Sequence, residues 1–456
     1  MIVRTMKKRL ISLMVAALAL LSASGQVAFT GVGQYAVIEV TPAITTGLNK
    51  IYVVYDTNNV GMTYTATTDE QVVWYSYDTR GGGYADPISG ITRAGNVTTL
   101  AQVLPNMGYI IEEGTDRYYC WVVNYADYTM SLNSITWGSD ATCSLLSFSV
   151  DGQADAIPYY TITGNRQVLD REIALHYNTL VWDDSLHWQE TEMVETFAAL
   201  DQAFQIEPPF CNTIFTLTGD RFLEEWGIGK TVETGTYITH AVSCNATLVQ
   251  EDRGNDNEKG LDNGYGGSAP VHIIFTGYPT DAVVYREWEM ATDENFEEVV
   301  LQYNQDEVDY TFNDAGTYYM RYMVANADGT CESYSDTYRI TVSESELVCP
   351  NIFSPGSTEG VNDIWKVSYK SLVEFHCWIF NRWGTLMCEF TDPGSGWDGT
   401  YNGRLVDTGV YYYVVTATGS DGVKYKKRGD ITILRYKRGA GGAAGTGMGG
   451  MDTGGY

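Results

Sequence analysis

The side chains that could do chemistry are few in this sequence, and none falls in a catalytic spacing. The five histidines form neither an HExxH pattern nor another metal-ligand spacing. His187 and Glu190 could share a helix face as base and partner, but a lone histidine beside Trp182 and Trp188 is more often a packing residue. No G-x-S-x-G motif occurs, and the acidic pairs are adjacent in sequence, which does not define the separation of glycosidase carboxylates. The sequence therefore predicts a protein that is not an enzyme.

An acidic loop at residues 252–258 is the best candidate for a cation site. Its carboxylate and amide oxygens lie close together, which suits Ca²⁺. The loop departs from the EF-hand pattern, because Gly is missing at the sixth position and Glu at the twelfth. A solvated polar loop is the favoured interpretation, with Ca²⁺ at Asp252 and Asp256 as the alternative. No other cofactor is predicted.

The first 25 residues have the features of a secretory signal peptide. Basic residues precede an apolar run at residues 10–21, and the small residues 23–25 form a cleavage site before Gln26. The apolar run is short for a membrane span, and no later stretch reaches transmembrane length. We therefore expect residues 1–25 to be removed and the mature chain to be exported without a transmembrane segment.

The eight cysteines favour disulfides over a metal site. Exported proteins reach oxidising compartments, and no C-x-x-C pair is present. Neighbouring cysteines also fall near or within one proposed domain. In the last pair, a turn from Asn381 to Gly384 places Cys377 opposite Cys388 on an antiparallel hairpin. The predicted disulfides are Cys120–Cys143, Cys211–Cys244, Cys331–Cys349 and Cys377–Cys388.

Short aromatic and β-branched runs separated by turn residues predict an all-β protein of tandem Ig-like β-sandwich domains. The first such domain is expected at residues 26–150. Trp74 lies in a strand-like run and Tyr118 lies two residues before Cys120, which is typical of an Ig core tryptophan and tyrosine corner.

The middle of the chain is predicted as two further domains. Residues 266–345 contain strand runs, a candidate core Trp288 and a D-x-G-x-Y corner ending at Tyr318, and this segment resembles a PKD or related Ig-like domain. Residues 151–265 are predicted as a second β domain. An inserted helix is possible there, because five apolar residues recur at spacings of seven, four, three and four. They are Leu186, Met193, Phe197, Leu200 and Phe204. The alternative is that these residues form strands.

Residues 346–438 hold the most specific signal, a series of separated motifs in a small all-β unit. The motif residues are Asn351, Phe353, Pro355, Asn362, Asp363, Asn381, Arg382, Trp383, Gly384, Trp397, Asp398, Gly399, Gly409, Tyr411, Gly429 and Asp430. This segment resembles the gliding-motility-associated C-terminal domain, the type B sorting signal of the Bacteroidetes type IX secretion system.

The resemblance implies an Ig-like sandwich that carries the protein through the outer membrane. Its implied partners are the type IX outer-membrane translocon and a helper outer-membrane protein, and its implied location is the cell surface or the medium. Two departures from the family are present. Residues 356–360 replace the usual Asn-Gly-Asp-Gly turn, and a Gly-rich tail at residues 439–456 follows the usual end. We expect this tail to be disordered.

The net charge of −29 is unevenly distributed. Residues 26–349 carry 13 Lys and Arg against 47 Asp and Glu, whereas residues 350–438 carry 11 against 9. The acidic body argues against nucleic acid as a partner. The basic residues near the end could dock on an acidic partner or anionic lipopolysaccharide, or could simply protect an edge strand from pairing. They are Lys424, Lys426, Lys427, Arg428, Arg435, Lys437 and Arg438.

Together these features predict an exported, multi-domain adhesive or structural protein delivered by type IX secretion. One alternative is an accessory or signalling cargo that acts on the secretion machinery itself. A less favoured alternative is a carbohydrate-binding or carbohydrate-active protein, because exposed Tyr and Trp often stack on sugars such as surface glycans.

Overall fold

The computed structural model describes residues 26–251, 264–357 and 360–434. The predicted signal peptide at residues 1–25, the candidate calcium loop with Asp252 and Asp256, and the Gly-rich tail at 439–456 lie outside the described residues. The all-β prediction is confirmed: the described chain is built from sheets stacked into Ig-like sandwiches.

The first sandwich has two sheets, with strand orders β1-β4-β8-β7 and β2-β3-β10-β9-β5-β6. Its strands are β1 (Gln26–Thr30), β2 (Ile38–Val40), β3 (Lys50–Val54), β4 (Gly61–Thr65), β5 (Val72–Tyr77), β6 (Asp86–Pro87), β7 (Thr92–Ala94), β8 (Val97–Leu100), β9 (Met107–Glu113) and β10 (Asp116–Asn124). Trp74 is buried between the sheets, as the sequence predicts. The other face of the larger sheet is also covered, so β3 reads as a continuous apolar run.

The second sandwich pairs a sheet of order β11-β12-β17 with one of order β16-β15-β18-β19. Its elements are β11 (Met130–Trp137), β12 (Leu146–Ala154), β13 (Pro158–Tyr160), β14 (Arg166–Val168), β15 (Ile173–Asp183), β16 (His187–Phe197), β17 (Ala203–Ile206), β18 (Thr216–Gly219), α1 (Arg221–Glu225) and β19 (Lys230–Glu233). The β13-β14 hairpin and α1 pack on the first sandwich and cover the outer face of its larger sheet.

The predicted amphipathic helix is wrong, because its residues form strands. Leu186 lies in the turn between β15 and β16, Met193 and Phe197 lie on β16, and Phe204 lies on β17. Met193 and Phe197 are four apart and therefore also share one face of a strand, where they pack on the second core. A spacing of four satisfies both the helical and the strand period, and pairing with β15 decides between them.

The third sandwich has sheet orders β20-β22-β25 and β21-β28-β26-β23-β24, with β27 beside β26. Its strands are β20 (Cys244–Gln250), β21 (Tyr265–Gly267), β22 (Val271–Pro279), β23 (Tyr285–Ala291), β24 (Val299–Tyr303), β25 (Glu307–Phe312), β26 (Gly316–Ala325), β27 (Glu332–Tyr334) and β28 (Tyr338–Val342). Trp288 is fully buried in its core. The Tyr318 hydroxyl donates to the Asp314 carbonyl, which closes the predicted tyrosine corner.

Strand pairing does not follow the predicted domain boundaries at residues 151 and 266. β11 begins at Met130 and pairs with β12, so the second sandwich starts before residue 151. β20 pairs with β22 along its whole length, so the third sandwich starts near Cys244 and not at residue 266.

The fourth sandwich packs a five-stranded sheet of order β30-β37-β36-β32-β33 against two short ribbons, β29-β31 and β34-β35. Its strands are β29 (Glu346–Val348), β30 (Ile352–Phe353), β31 (Ser368–Lys370), β32 (Leu372–Phe380), β33 (Leu386–Phe390), β34 (Thr400–Tyr401), β35 (Arg404–Leu405), β36 (Gly409–Gly419) and β37 (Lys424–Ile433).

The cysteine pairing differs from every predicted disulfide. The one disulfide joins Cys143 to Cys331, which excludes the predicted pairs Cys120–Cys143 and Cys331–Cys349. The six remaining cysteines are free thiols, so Cys211–Cys244 and Cys377–Cys388 are wrong as well. Cys120 is fully buried in the first sandwich, and burial raises the pKa of its thiol.

The Cys377–Cys388 prediction fails because two shifts change the register of the hairpin. Phe380 pairs with Leu386 and not with Thr385, as the predicted turn would require, and Ile379 pairs with Cys388, so Met387 is an extra residue in a β-bulge of β33. Cys377 therefore lies opposite Phe390 and only diagonal to Cys388. Diagonal neighbours are about 7–8 Å apart, which is too far for a disulfide.

Consecutive sandwiches meet through specific buried contacts that the sequence analysis did not identify. Between the first two, the Tyr125 hydroxyl of the first sandwich donates to the buried Asp220 carboxylate of the second, which also forms an ion pair with Arg171 at 2.5 Å; the Arg171 and Asp220 side chains are only 2% and 0% exposed. Between the second and third, the Trp188 indole donates to the Tyr278 carbonyl, and the Cys143–Cys331 disulfide also joins the two sandwiches.

Candidate functional site: the C-terminal sandwich

Two tryptophans, Trp397 of the motif series and Trp365 just after the motif residue Asp363, form the centre of the fourth sandwich. Trp365 and Trp397 are 0% and 1% exposed, and their backbones pair with each other. The Trp365 indole donates to the Pro350 carbonyl at 2.6 Å, and the Trp397 indole donates to the Thr400 carbonyl at 3.0 Å. Both polar N–H groups are thereby satisfied, which is what permits complete burial of these side chains.

The Asp363 carboxylate holds the loop that follows the first motif. It accepts hydrogen bonds from the backbone N–H groups of Gly356 at 3.0 Å and Gly360 at 2.7 Å. Asn362 adopts a positive φ of 52°, and its carbonyl accepts from the Ser354 N–H. Asp363 therefore stabilises this loop even though the family's usual glycine-rich turn is replaced.

Gly399 is required where a turn passes close to the first motif. Its φ is +75°, and an added Cβ would lie 2.9 Å from the Pro355 Cγ atom. Asp398, the residue before it, accepts from the Thr400 N–H and hydroxyl, which closes the turn. The geometry of this turn therefore explains the residue types at Asp398 and Gly399.

The later motifs also support the core. The Tyr411 hydroxyl donates to the Asp407 carbonyl at 3.0 Å, and its ring packs edge-on against Trp397. Gly409 precedes it with a φ of +147°. Gly429 leaves room for the Tyr413 ring, which an added Cβ would approach to 2.7 Å. Phe353 packs against Trp397, and the Asn351 carbonyl accepts from the Thr432 N–H.

The tip of the β32-β33 hairpin is different, because its motif residues project away from the core. Asn381 and Gly384 build the turn: the Asn381 side-chain oxygen accepts from two backbone N–H groups, and Gly384 has a φ of +85°. Arg382 stacks over the Trp383 ring at 4.1 Å, and Trp383 is 74% exposed. No contact with the core explains a tryptophan at this position.

The outward face of the five-stranded sheet continues from this tip as an apolar surface. Tyr412 lies opposite Phe380, which in turn lies opposite Leu386, and Val410 is two residues before Tyr412 on the same face. Tyr412, Val410 and Leu386 are 47%, 45% and 40% exposed. A soluble protein exposes single apolar residues routinely, but neighbours across three strands form a patch of the kind that marks interaction sites.

A column of cations lies farther along the same face, starting opposite Val414 on β36. Lys424, Lys426 and Arg428 alternate along β37 and are all exposed on the outward face. Lys427 points the other way, and its ammonium group donates to the Leu347 carbonyl. The predicted basic cluster is therefore divided, with three of its described members on one surface.

The alternation of β36 explains why the sequence analysis missed this surface. The segment from Val410 to Val415 is apolar at every position, which indicates a strand apolar on both faces. Tyr411, Tyr413 and Val415 face the core, so the intervening residues must face outward. The signal was present in the sequence, but the choice of face required the sandwich.

The other predicted sites do not come together. His187 lies at the tip of the β15-β16 hairpin, where its ring packs on Tyr278 with centroids 4.1 Å apart. Glu190 instead accepts from the Asn178 amide at 2.6 Å. Among the described residues, no group of three or more His, Cys, Asp or Glu could hold a metal ion.

Comparison with known proteins identifies two of the domains. Residues 136–234 match the model of a fibronectin type III domain, and residues 347–433 match the CHU_C type IX secretion signal domain. The resemblance of the last module to a type IX sorting domain is thereby confirmed. It implies that the protein is cargo of the type IX system, that it interacts with this machinery, and that it reaches the cell surface or the medium.

The solved structures that this chain matches share little sequence with it and superpose on it with low TM-scores. One contains the three N-terminal domains of the bacteriophage RB49 highly immunogenic outer capsid protein (Hoc), with 10% identity, 68% of this chain and 100% of that chain covered, and a TM-score of 0.20. Another is dimeric latent PorU from Porphyromonas gingivalis, with 9% identity, 70% and 35% coverage, and a TM-score of 0.16. No curated protein matches the sequence significantly. Across the described residues, no helix has the length and apolar character needed to cross a membrane.

Proposed function

We propose that this protein is an adhesive or structural protein displayed outside the cell, with the fourth sandwich as its export signal and the three preceding sandwiches as the displayed body. The observation that carries the proposal is the match of residues 347–433 to the type IX secretion signal domain. The buried contacts between the sandwiches support a body that transmits force or presents a surface, because each joint is held by more than a flexible linker.

The proposal includes a signal peptide at residues 1–25, a PKD-like third domain, and a helper outer-membrane protein as a further partner. The acidic body is consistent with an exposed, highly hydrated surface. The fibronectin type III match within the body fits the same role, because such sandwiches host binding surfaces on many unrelated proteins.

Export and adhesion are tested separately. Deletion of residues 347–456 should leave the protein inside the outer membrane, as measured by fractionation and protease shaving of intact cells. Normal export of the truncated chain would refute the cargo role. For adhesion, cells lacking the whole gene should attach less to surfaces or to each other, and unchanged attachment would refute the adhesive role.

Carbohydrate binding is a second candidate, favoured by a cleft of about 660 Å³ beside the Cys143–Cys331 disulfide. Trp137 and Ile238, which are 39% and 56% exposed, line this cleft together with the Tyr237 ring. Apolar ring faces with nearby polar groups suit a saccharide.

A glycan array with the full chain tests this candidate. Binding should be lost in Trp137→Ala and retained in Tyr84→Ala, because Tyr84 is an exposed aromatic residue of the first sandwich outside the cleft. An array without hits would refute the carbohydrate role.

A further inference from the structure

We propose that the outward face of the five-stranded sheet in the fourth sandwich, together with the Arg382–Trp383 tip, is the docking surface for a protein of the export machinery. The occupant is a protein surface that presents apolar side chains beside carboxylates. This inference deepens the cargo role and rests on it, because a sorting domain must expose some surface that the machinery recognises.

The motif residues divide into two groups by their contacts. Trp397, Asp363, Gly399 and Tyr411 satisfy buried hydrogen bonds, fill the core or permit a tight turn. A further pair, the Arg382 guanidinium stacked on the exposed Trp383 ring, does none of these things. The first group explains how the domain folds, which leaves the second group available for recognition.

The sheet face extends this tip across several strands. Leu386, Phe380 and Tyr412 form one row across β33, β32 and β36, with Asp430 of β37 at its end. Trp378 and Val414 form the next row. Tryptophan, tyrosine, phenylalanine and arginine are the residues enriched at interface centres and among their energetic hot spots.

The charge of this face defines the partner further. Val414 lies opposite Arg428, and the rows beyond it end in Lys426 and Lys424. Three carboxylates share this face: Glu389 accepts from His376 and Trp378, Glu374 accepts from the Thr418 hydroxyl, and the exposed Asp430 lies two residues beyond Arg428 on β37. Asp430 offsets part of the charge at the Arg428 end, so it is chiefly Lys424 and Lys426 that complement carboxylates on the partner, next to the apolar rows.

A protein partner accounts for both features of the face. An anionic glycolipid would explain the three cations, but it would not require the aromatic and aliphatic rows or the exposed tip. The juxtaposition of an apolar patch with a charged border is instead the usual anatomy of a protein interface.

The experiment uses the full chain in a host with a type IX system. Three variants probe the surface: Trp383→Ser at the tip, Val410→Thr with Tyr412→Thr on the apolar rows, and Lys424→Glu with Lys426→Glu and Arg428→Glu on the column. Matched controls elsewhere on the domain are Val361→Ser, which changes a side chain 55% exposed, and Lys370→Glu. Thermal unfolding of each purified protein verifies that the domain still folds.

Each surface variant should lower the exported fraction roughly tenfold or more at unchanged thermal midpoint, because loss of one interface anchor commonly weakens binding by at least that factor. The controls should export normally. Normal export of all three folded surface variants would overturn the docking surface. If the deletion of residues 347–456 blocks export in the same experiment, the cargo role would stand while the docking surface fails.

The lipid alternative has its own outcome. Purified wild-type chain is mixed with vesicles that contain lipopolysaccharide, and sedimentation measures binding. If only the charge-reversal variant loses export and only this variant loses vesicle binding, the occupant is an anionic glycolipid and the protein partner is refuted. Loss of export in the tip and apolar variants without vesicle binding by the wild type supports the protein partner.

Discussion

Removal of the Cys143–Cys331 disulfide should destabilise the second sandwich strongly. The bond joins the β11-β12 loop to the loop between β26 and β27, so it connects the second and third sandwiches across 188 residues of sequence. Reduction of the wild type, or the double variant Cys143→Ser with Cys331→Ser, removes this connection; reduction does so without replacing Cys331, which is part of the third core.

The magnitude follows from the loop that the bond closes when only the second sandwich unfolds. The folded third sandwich then fixes Cys331 and the chain at Cys244, so the closed loop runs from Cys143 to Cys244, about 100 residues. Chain entropy gives about 4.7 kcal/mol for a loop of that length, and measured values are more often about 2–4 kcal/mol. For a domain of about 100 residues, each 1 kcal/mol corresponds to roughly 4–8 °C, so the transition should fall by at least about 8 °C.

Differential scanning calorimetry of the intact chain, with and without reductant, measures this effect. Peptide mapping after alkylation without reduction should give one linked pair, Cys143–Cys331, and six alkylated cysteines. The double serine variant is the control, because its transitions should be insensitive to reductant.

Two results would refute the reasoning. If mapping shows the bond but reduction shifts no transition by more than about one degree, the loop-closure argument is wrong. If mapping instead finds Cys377 linked to Cys388, the β-bulge does not separate these cysteines as described.

Three further predictions concern single positions. Arg171→Ala should destabilise the second sandwich, where it contacts Tyr125 of the first, by about 3–5 kcal/mol, because it leaves the buried Asp220 carboxylate without its ion-pair partner; denaturant unfolding would show no change if the ion pair were unimportant. Gly399→Ala should cost about 1–3 kcal/mol, because its backbone has a positive φ and the new methyl group meets Pro355; an unchanged unfolding midpoint would contradict this. Hydrogen bonds to Asp309 and Glu251 raise the pKa of His272, so the third sandwich should gain a small stability below the ordinary histidine pKa and lose it as pH rises through the raised value. Unfolding midpoints at acidic and alkaline pH should differ less in His272→Gln, and an equal pH dependence in both proteins would exclude this contribution.

Several features of the fold followed from local sequence. Strand runs of aromatic and β-branched residues predicted an all-β chain, because such side chains fit a pleated and half-buried surface. The tyrosine corner at Tyr318 and the core tryptophans Trp74 and Trp288 were also predictable, since each depends on a short pattern. The sorting domain was recognisable because its motifs specify turns and buried hydrogen bonds that few other residues could supply.

The errors have a common physical origin in contacts between distant parts of the chain. The spacing of Met193 and Phe197 fits helix and strand equally, and only pairing with β15 selects the strand. The partner of Cys143 is 188 residues away, on a different sandwich, so sequential pairing could not find it. A turn wider by one residue and a bulge at Met387 together moved Cys388 out of register with Cys377.

The sequence by itself determined the strand-rich class, the turn chemistry and the type of the last domain, because those depend on neighbouring residues. The tertiary structure alone decided which cysteines meet, how the sandwiches join, and which side of each apolar strand remains exposed. The outward placement of Tyr412 illustrates the difference, because its apolar neighbours Tyr411 and Tyr413 could equally have faced outward until the core of the fourth sandwich selected them.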